Sequence, residues 1–183
     1  MVGGVQPPTF RPMLIQLFAA VLFFQPVLAE SIGNVDYDLP VAKKHWKMAA
    51  ENKTDKPTVI STTRRYVPED RASVAVAEEA FVVNINNLQE DPREDEAAIK
   101  ERIQKMFPNT DVEIHMIEKT PDMNLYTWSV TSTTSPLSLW GVSKHFILND
   151  GSVNLAYKTT NKEIFDADKD SWIEALKAAH LNK

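Results

Sequence analysis

Apolar and polar residues alternate with a period of two through most of the second half of the chain. The alternation runs through Asp111–Lys119, Asn124–Val130, Leu139–Leu148 and Ser152–Thr159. Because successive side chains of a strand point to opposite faces of a sheet, the pattern predicts four consecutive strands, each with one apolar face. Asn149-Asp150-Gly151 separates the last two stretches, and an Asp-Gly pair between alternating runs predicts a tight hairpin.

Strand patterns also occur in the first half of the chain. "EAFVVNINNL" (Glu79–Leu88) alternates in the same way and predicts a strand. "PTVISTTRRYVP" (Pro57–Pro68) is rich in β-branched residues and bounded by prolines, which cannot donate to a sheet ladder, so it predicts a strand at a sheet edge. "KKHWKM" (Lys43–Met48) fits the start of either a strand or a short helix.

A helix is predicted between the two groups of strands. In "DPREDEAAIKERIQKMFP", Asp91 can cap the helix, Pro92 fits its first position and Glu94 completes the capping pattern. Pro108 ends it. The apolar residues that follow the cap share one helical face: Ile99, Ile103, Met106 and Phe107.

A second helix is predicted to begin near Asp166–Asp168, with Trp172, Leu176 and Ala179 on one face. Strands that follow one another through tight turns pair antiparallel, so the order of elements predicts an α+β fold. We expect an antiparallel sheet of about six strands with both helices packed on one face, as a two-layer sandwich. Residues 41–183 would form this single domain.

Five predicted features follow one another along the chain: a strand with "YVP", a strand with "EAFVVNI", a helix ending in "MFPN", four meandering strands and a terminal W-x-x-x-L helix. In this order they resemble Mog1/PsbP-like exported domains, including the bacterial DcrB-like proteins. The resemblance extends over Val41–Leu181. It implies an accessory or binding protein, and it carries over no catalytic residue because the family shares none. Unlike the lipoprotein members, this chain lacks the cysteine that would anchor it.

The N-terminal region has the pattern of a cleavable signal peptide. The apolar run Leu17–Phe24 is much shorter than the ~20 residues that span a bilayer, and Pro26 follows it. Arg11 supplies a positive charge before the run, and Ala29 ends a small-residue cleavage site. We expect cleavage after Ala29, a flexible segment over residues 30–40, and a periplasmic or secreted bacterial protein. An uncleaved anchor and a start at Met13 are the alternatives.

Composition excludes several kinds of chemistry. The 183 residues include no cysteine, which excludes disulfides, thiolate catalysis and attachment of a lipid to a cysteine. The net charge of −5 gives no general attraction to nucleic acid. The expected partner is therefore another protein, with no nucleic acid and no stable membrane anchor after cleavage.

Candidate metal and catalytic residues do not assemble into a motif. Asp166, Asp168 and Asp170 alternate as in a calcium loop, but Ser171 stands where that loop needs glycine and Lys177 where it needs glutamate. A helix cap with an acidic first turn explains these aspartates. We therefore predict no metal, no cofactor and no catalytic residue.

Two histidines leave one catalytic alternative open. His115 and His145 both lie opposite the apolar residues of their strands, so they could come together if the strands pair. This would permit a metal or acid–base site, as in a hydrolase. A solvent-facing role is the simpler interpretation of each.

Basic residues cluster at two places in this acidic chain, and together they are a candidate site for a partner or an anion. The cluster residues are Lys43, Lys44, Lys47, Arg64 and Arg65. The alternative is a solvated edge where lysines discourage strand pairing. The sequence as a whole predicts a non-enzymatic exported accessory or interaction protein; the alternatives are a carrier of a small ligand or lipid in an aromatic pocket and, less favoured, a hydrolase.

Overall fold

The computed structural model describes residues 35–36, 46–56, 59–69, 78–87, 94–132, 134, 138–149 and 151–181. Within these ranges the elements are β1 (Val35–Asp36), β2 (Trp46–Lys56), β3 (Val59–Pro68), β4 (Glu79–Asn86), α1 (Glu96–Met106), β5 (Thr110–Thr120), β6 (Met123–Ser132), β7 (Ser138–Leu148), β8 (Gly151–Thr159), α2 (Lys162–Ala178) and β9 (His180–Leu181). The α+β class is confirmed. The predicted signal peptide, Lys43, Lys44, Asp91 and Pro92 lie outside the described residues.

Seven strands form one antiparallel sheet in the order β2-β3-β4-β8-β7-β6-β5. The predicted hairpin is confirmed, because Leu148 at the end of β7 pairs with Gly151 at the start of β8. β1 and β9 form a separate two-stranded sheet. Val35 and Asp36 are therefore paired with other residues, although they lie within the segment 30–40 that was predicted to be flexible.

The pairing register defines the two faces of the large sheet. Residues directly opposite in an antiparallel pair point to the same face. Phe81, Tyr157 and Val142 pair in one row, and we call their side the α2 face. Val82, Ala156, Ser143 and Tyr126 pair in the adjacent row, and we call their side the α1 face.

α2 packs on the face named after it through a group of aromatic rings. The side chain of Trp172 is buried and stacks on Phe81 at 5.3 Å and on Tyr157 at 4.4 Å between ring centroids. Trp46 meets the same indole edge-on at 5.6 Å. Such ring pairs stabilise a core by roughly 0.5–1.5 kcal/mol each beyond their area burial.

α1 packs on the opposite face. Asp95 caps it by accepting a hydrogen bond from the backbone N–H of Ala98 at 2.9 Å. Ile99 and Ile103 are buried in a second cluster. The strand residues buried with them are Val112, Tyr126 and Val130, which share the α1 face by register.

The prediction that both helices pack on one face, as a two-layer sandwich, is therefore wrong. The apolar alternation changes faces between two neighbouring strands. On β6, Trp128 points to the α1 face, where its partner on β7 is Gly141. The apolar row of β7, which includes Val142, points instead to the α2 face. Each helix covers the apolar face that lies nearest to it, so the two clusters form on opposite sides.

Several predicted boundaries also differ from the structure. β3 is an interior strand, because polar β2 pairs along its outer edge. α1 begins after Asp95, so Asp91 is not its cap. Met106 and Phe107 are 60% and 39% exposed and do not share the buried face of Ile99 and Ile103. α2 begins four residues before Asp166, where the side chain of Asn161 accepts from Glu163 N and Ile164 N.

Candidate functional site

An open groove of about 730 Å³ lies over the β5–β6 end of the α2 face. α2 contacts β7 and β8 and leaves this end of the face uncovered. Because β5 points Val112 and Ile114 toward α1, its intervening residues Glu113 and His115 point to the groove side. The floor of the groove is therefore the polar half of an amphipathic strand.

The walls of the groove come from both helices, and its lining mixes aromatic and charged groups. α1 packs on the other face but contacts β5, the edge strand, and its residues Glu96, Ala97 and Lys100 line the groove at that edge of the sheet. Lys162, Phe165 and Asp166 of α2 form the other wall. The floor is completed by Thr127, Ser129 and Trp140, with Ile114 and Trp128 contributing atoms at its side.

Two contacts fix the charged side chains of the walls. The carboxylate of Glu96 accepts from the backbone N–H of Met116 at 2.7 Å, which ties α1 to β5. The ammonium of Lys162 pairs with Asp166 at 2.6 Å, one helical turn along α2. Carboxylates and ammonium groups are thus both presented beside the aromatic rings of Trp140 and Phe165.

The two histidines do not form one site. His115 pairs with Thr127 and lies on the α2 face, where it is exposed and lines the groove. His145 pairs with Asn124, three residues from Thr127 along β6, and lies on the α1 face. The expectation that strand pairing brings these two imidazoles together is wrong, because they lie on opposite faces of the sheet.

His145 is only 4% exposed. Burial, and secondly the charge of Arg102, lower the pKa of His145 from 6.5 to about 4, whereas the carboxylate of Glu94 acts in the opposite direction. Arg102 and Glu94 form an ion pair at 3.0 Å. His145 is therefore neutral at pH 7 and lies near the ion pair between Arg102 of α1 and Glu94, which precedes that helix.

The candidate basic cluster is divided between the two faces. Arg64 lies on the α2 face and pairs with Glu51 at 2.9 Å. Arg65 and Lys47 lie on the α1 face. Lys158 of β8 joins them on that face, because it pairs with Ala80. Sequence reasoning missed Lys158, which stands in a stretch singled out for its apolar residues.

The three alternating aspartates do not form a calcium loop. Asp166, Asp168 and Asp170 lie inside α2, beyond its first turn, so the interpretation as cap and acidic first turn is also wrong. Among the described residues, no group of three or more histidine, aspartate or glutamate side chains could hold a metal ion. In the same residues, neither helix is long and apolar enough to cross a membrane.

No protein-family model matches the chain, and no curated protein matches it. The resemblance to Mog1/PsbP-like domains stays a prediction. The groove residues that sequence reasoning missed are Glu96, Lys100, Glu113, Trp140 and Phe165. No sequence signal could have grouped them, because they come from four elements that meet only through strand pairing and helix packing.

Proposed function

We propose that this protein is an exported, non-enzymatic accessory module that binds an extended segment of another protein in the groove between α1 and α2. The observation that carries the proposal is the groove itself. At about 730 Å³ it is within the size range of ligand sites, and both helices and the sheet line it.

The character of the lining favours a peptide over a lipid. A lipid carrier buries its ligand in an enclosed apolar cavity, whereas this groove is open and has charged walls. Under α2, the stacked rings of Phe81, Trp172 and Tyr157 occupy the space that an aromatic lipid pocket would need. A peptide offers backbone polar groups for Thr127 and Ser129 and side chains of either charge for the walls.

The export of the module is part of the proposal. It is supported by the short apolar run before Pro26 and by the small-residue site ending at Ala29. Membership among Mog1/PsbP-like domains is part of the same proposal, and it rests on the sequence pattern alone. Detection of mature protein beginning at Glu30 in the periplasmic or secreted fraction would test the export.

Peptide binding is tested by selecting peptides from a random phage-displayed library on the purified protein. The affinities of the selected peptides are then measured for the parent protein, Lys100→Glu and Glu113→Lys. We expect micromolar binding to the parent and a loss of at least about tenfold in each groove variant, which corresponds to about 1.4 kcal/mol.

Lys105→Glu is the matched control. It makes the same charge change on the same helix, but Lys105 is 74% exposed in its side chain, pairs with Glu101 and does not line the groove. It should bind the peptides as the parent does. Peptides that bind all variants equally, or a selection that yields no peptide, would exclude the groove as a peptide site.

A further inference from the structure

Two cations on the α1 face, Arg65 and Lys158, lie on neighbouring positions of the sheet. Arg65 of β3 pairs with Val82 of β4, and Lys158 of β8 pairs with Ala80 of the same strand. The two cations therefore stand on either side of β4, displaced by two residues along it. Ala80, which lies between them on this face, carries only a methyl group. It therefore leaves room for the two long side chains to approach each other.

Neither cation is neutralised by the protein within the part of the chain that the structure describes. Arg65 and Lys158 form no ion pair there with a carboxylate. The Nε–H group of Arg65 is buried and has no hydrogen-bond acceptor in the same residues. Burial, and secondly the charge of Arg65, lower the pKa of Lys158.

A half-buried pair of like charges with an unsatisfied guanidinium N–H is unfavourable in the free protein. The cost is relieved when an anion lies between the two groups. A planar guanidinium matches the oxygens of a phosphate, and an ammonium adds a second, freely rotating set of donors. Two cations match the charge of a dianion better than that of a carboxylate.

We propose that Arg65 and Lys158 together bind a phosphate dianion on the α1 face. Asn84 and Asn154 pair with each other in the next row of this face, which places two amide groups beside the proposed site. Lys47 lies at the rim, where its ammonium is 3.5 Å from the carbonyl oxygen of Glu69. The site is separate from the groove, which lies at the other end of the sheet on the opposite face.

The adjacent arginine provides a matched control. Arg64 is the same residue type on the same strand, but it points to the α2 face and already pairs with Glu51. Arg65→Gln and Arg64→Gln therefore remove the same charge one position apart on opposite faces. Only the first should affect an anion on the α1 face.

The experiment is a titration of the purified protein with inorganic phosphate at pH 7.5 in constant chloride, followed by calorimetry or by NMR shifts of the Lys158 amide. We expect saturable binding, weakened at least tenfold by Arg65→Gln and by Lys158→Gln and less than twofold by Arg64→Gln. Acetate at the same concentration should bind at least tenfold more weakly than phosphate. Absence of saturation, equal binding of acetate, or equal loss in Arg64→Gln would overturn the proposal.

Two further arms identify the source of the phosphate group. Glycerol 3-phosphate tests a soluble monoester, and vesicles containing phosphatidic acid test a lipid headgroup. Binding in either arm that requires Arg65 supports the site and names its source. Thermal melting without phosphate checks that the variants are folded. Lys158→Gln removes a repulsion between two cations, so it should be at least as stable as the parent. A much less stable Lys158→Gln would show that the lysine is structural and would overturn its assignment.

Discussion

The ammonium group of Lys144 donates a hydrogen bond to the carbonyl oxygen of Ala179 at 2.6 Å. A second bond reaches the carbonyl of Lys177 at 3.1 Å, so a strand residue satisfies the carbonyl groups at the C-terminal end of α2. Lys144 is 5% exposed, and burial lowers its pKa. The positive charge also faces the negative end of the helix dipole.

Replacing Lys144 by methionine should destabilise the protein. The change keeps an unbranched apolar stem but leaves the carbonyls of Lys177 and Ala179 without these donors, at a cost of about 1–3 kcal/mol. The loss is measured by urea denaturation at pH 7. Lys53→Met, at a side chain that is 68% exposed, is the control and should change stability little. An equally stable Lys144→Met would mean that removing the buried cation offsets the lost bonds.

Replacing Gly141 by alanine should also be destabilising. A Cβ atom at this position would lie 2.5 Å from the indole ring of Trp128 and 2.6 Å from the carbonyl oxygen of Tyr157. The indole is held in place because its N–H donates to Ser143 at 2.9 Å. The backbone or the ring must shift, at a cost of about 1–3 kcal/mol.

This prediction is checked by the urea midpoint of Gly141→Ala compared with Ser129→Ala, which places alanine on the open face of the neighbouring strand. A midpoint for Gly141→Ala equal to that of the control would show that the sheet accommodates the methyl group without displacing Trp128.

Stability should depend on the protonation of His145. Its imidazole has a pKa of about 4 in the folded protein and about 6.5 when unfolded. Between these values the unfolded chain binds more protons, so folding stability is complete above pH 6.5 and decreases as the pH falls toward 4. The loss for this single group is on the order of 3 kcal/mol.

The dependence on His145 is tested by measuring the free energy of unfolding at pH 7.5, 5.5 and 4.5. Because carboxylates add their own pH dependence, the parent is compared with His145→Gln. The variant should lose less stability between pH 7.5 and 4.5 than the parent does. His115→Gln, at an exposed position on the opposite face, is the control for the substitution itself. Identical slopes for the parent and His145→Gln would contradict the low pKa.

The local pattern of apolar and polar residues was sufficient to predict most of the strands and helices. The alternation of apolar residues predicted β4 to β8, and Asp-Gly predicted the hairpin between β7 and β8. The start of β2 was left open between a strand and a short helix, because most side chains of this edge strand are exposed and no alternation is required. The helix starts were misplaced because several polar residues near each start can act as caps, and only the packed helix selects one.

The candidate sites could not be predicted in the same way. Arg64 and Arg65 are adjacent in sequence, yet their strand directs them to opposite faces. Lys158 joins Arg65 only because β4 and β8 pair, although they are far apart in the chain. The groove likewise depends on which strands α2 covers. It contacts β7 and β8 and leaves the face of β5 and β6 open.

The sequence by itself determined which residues share a face within each strand, because the spacing of side chains along an extended backbone is fixed. Only the tertiary structure decided which of those faces meet across neighbouring strands. The register that sets Trp128 over Gly141 directs the apolar rows of β6 and β7 to opposite sides. That pairing is a long-range contact between backbones, and it determines where each helix packs and where polar residues remain accessible.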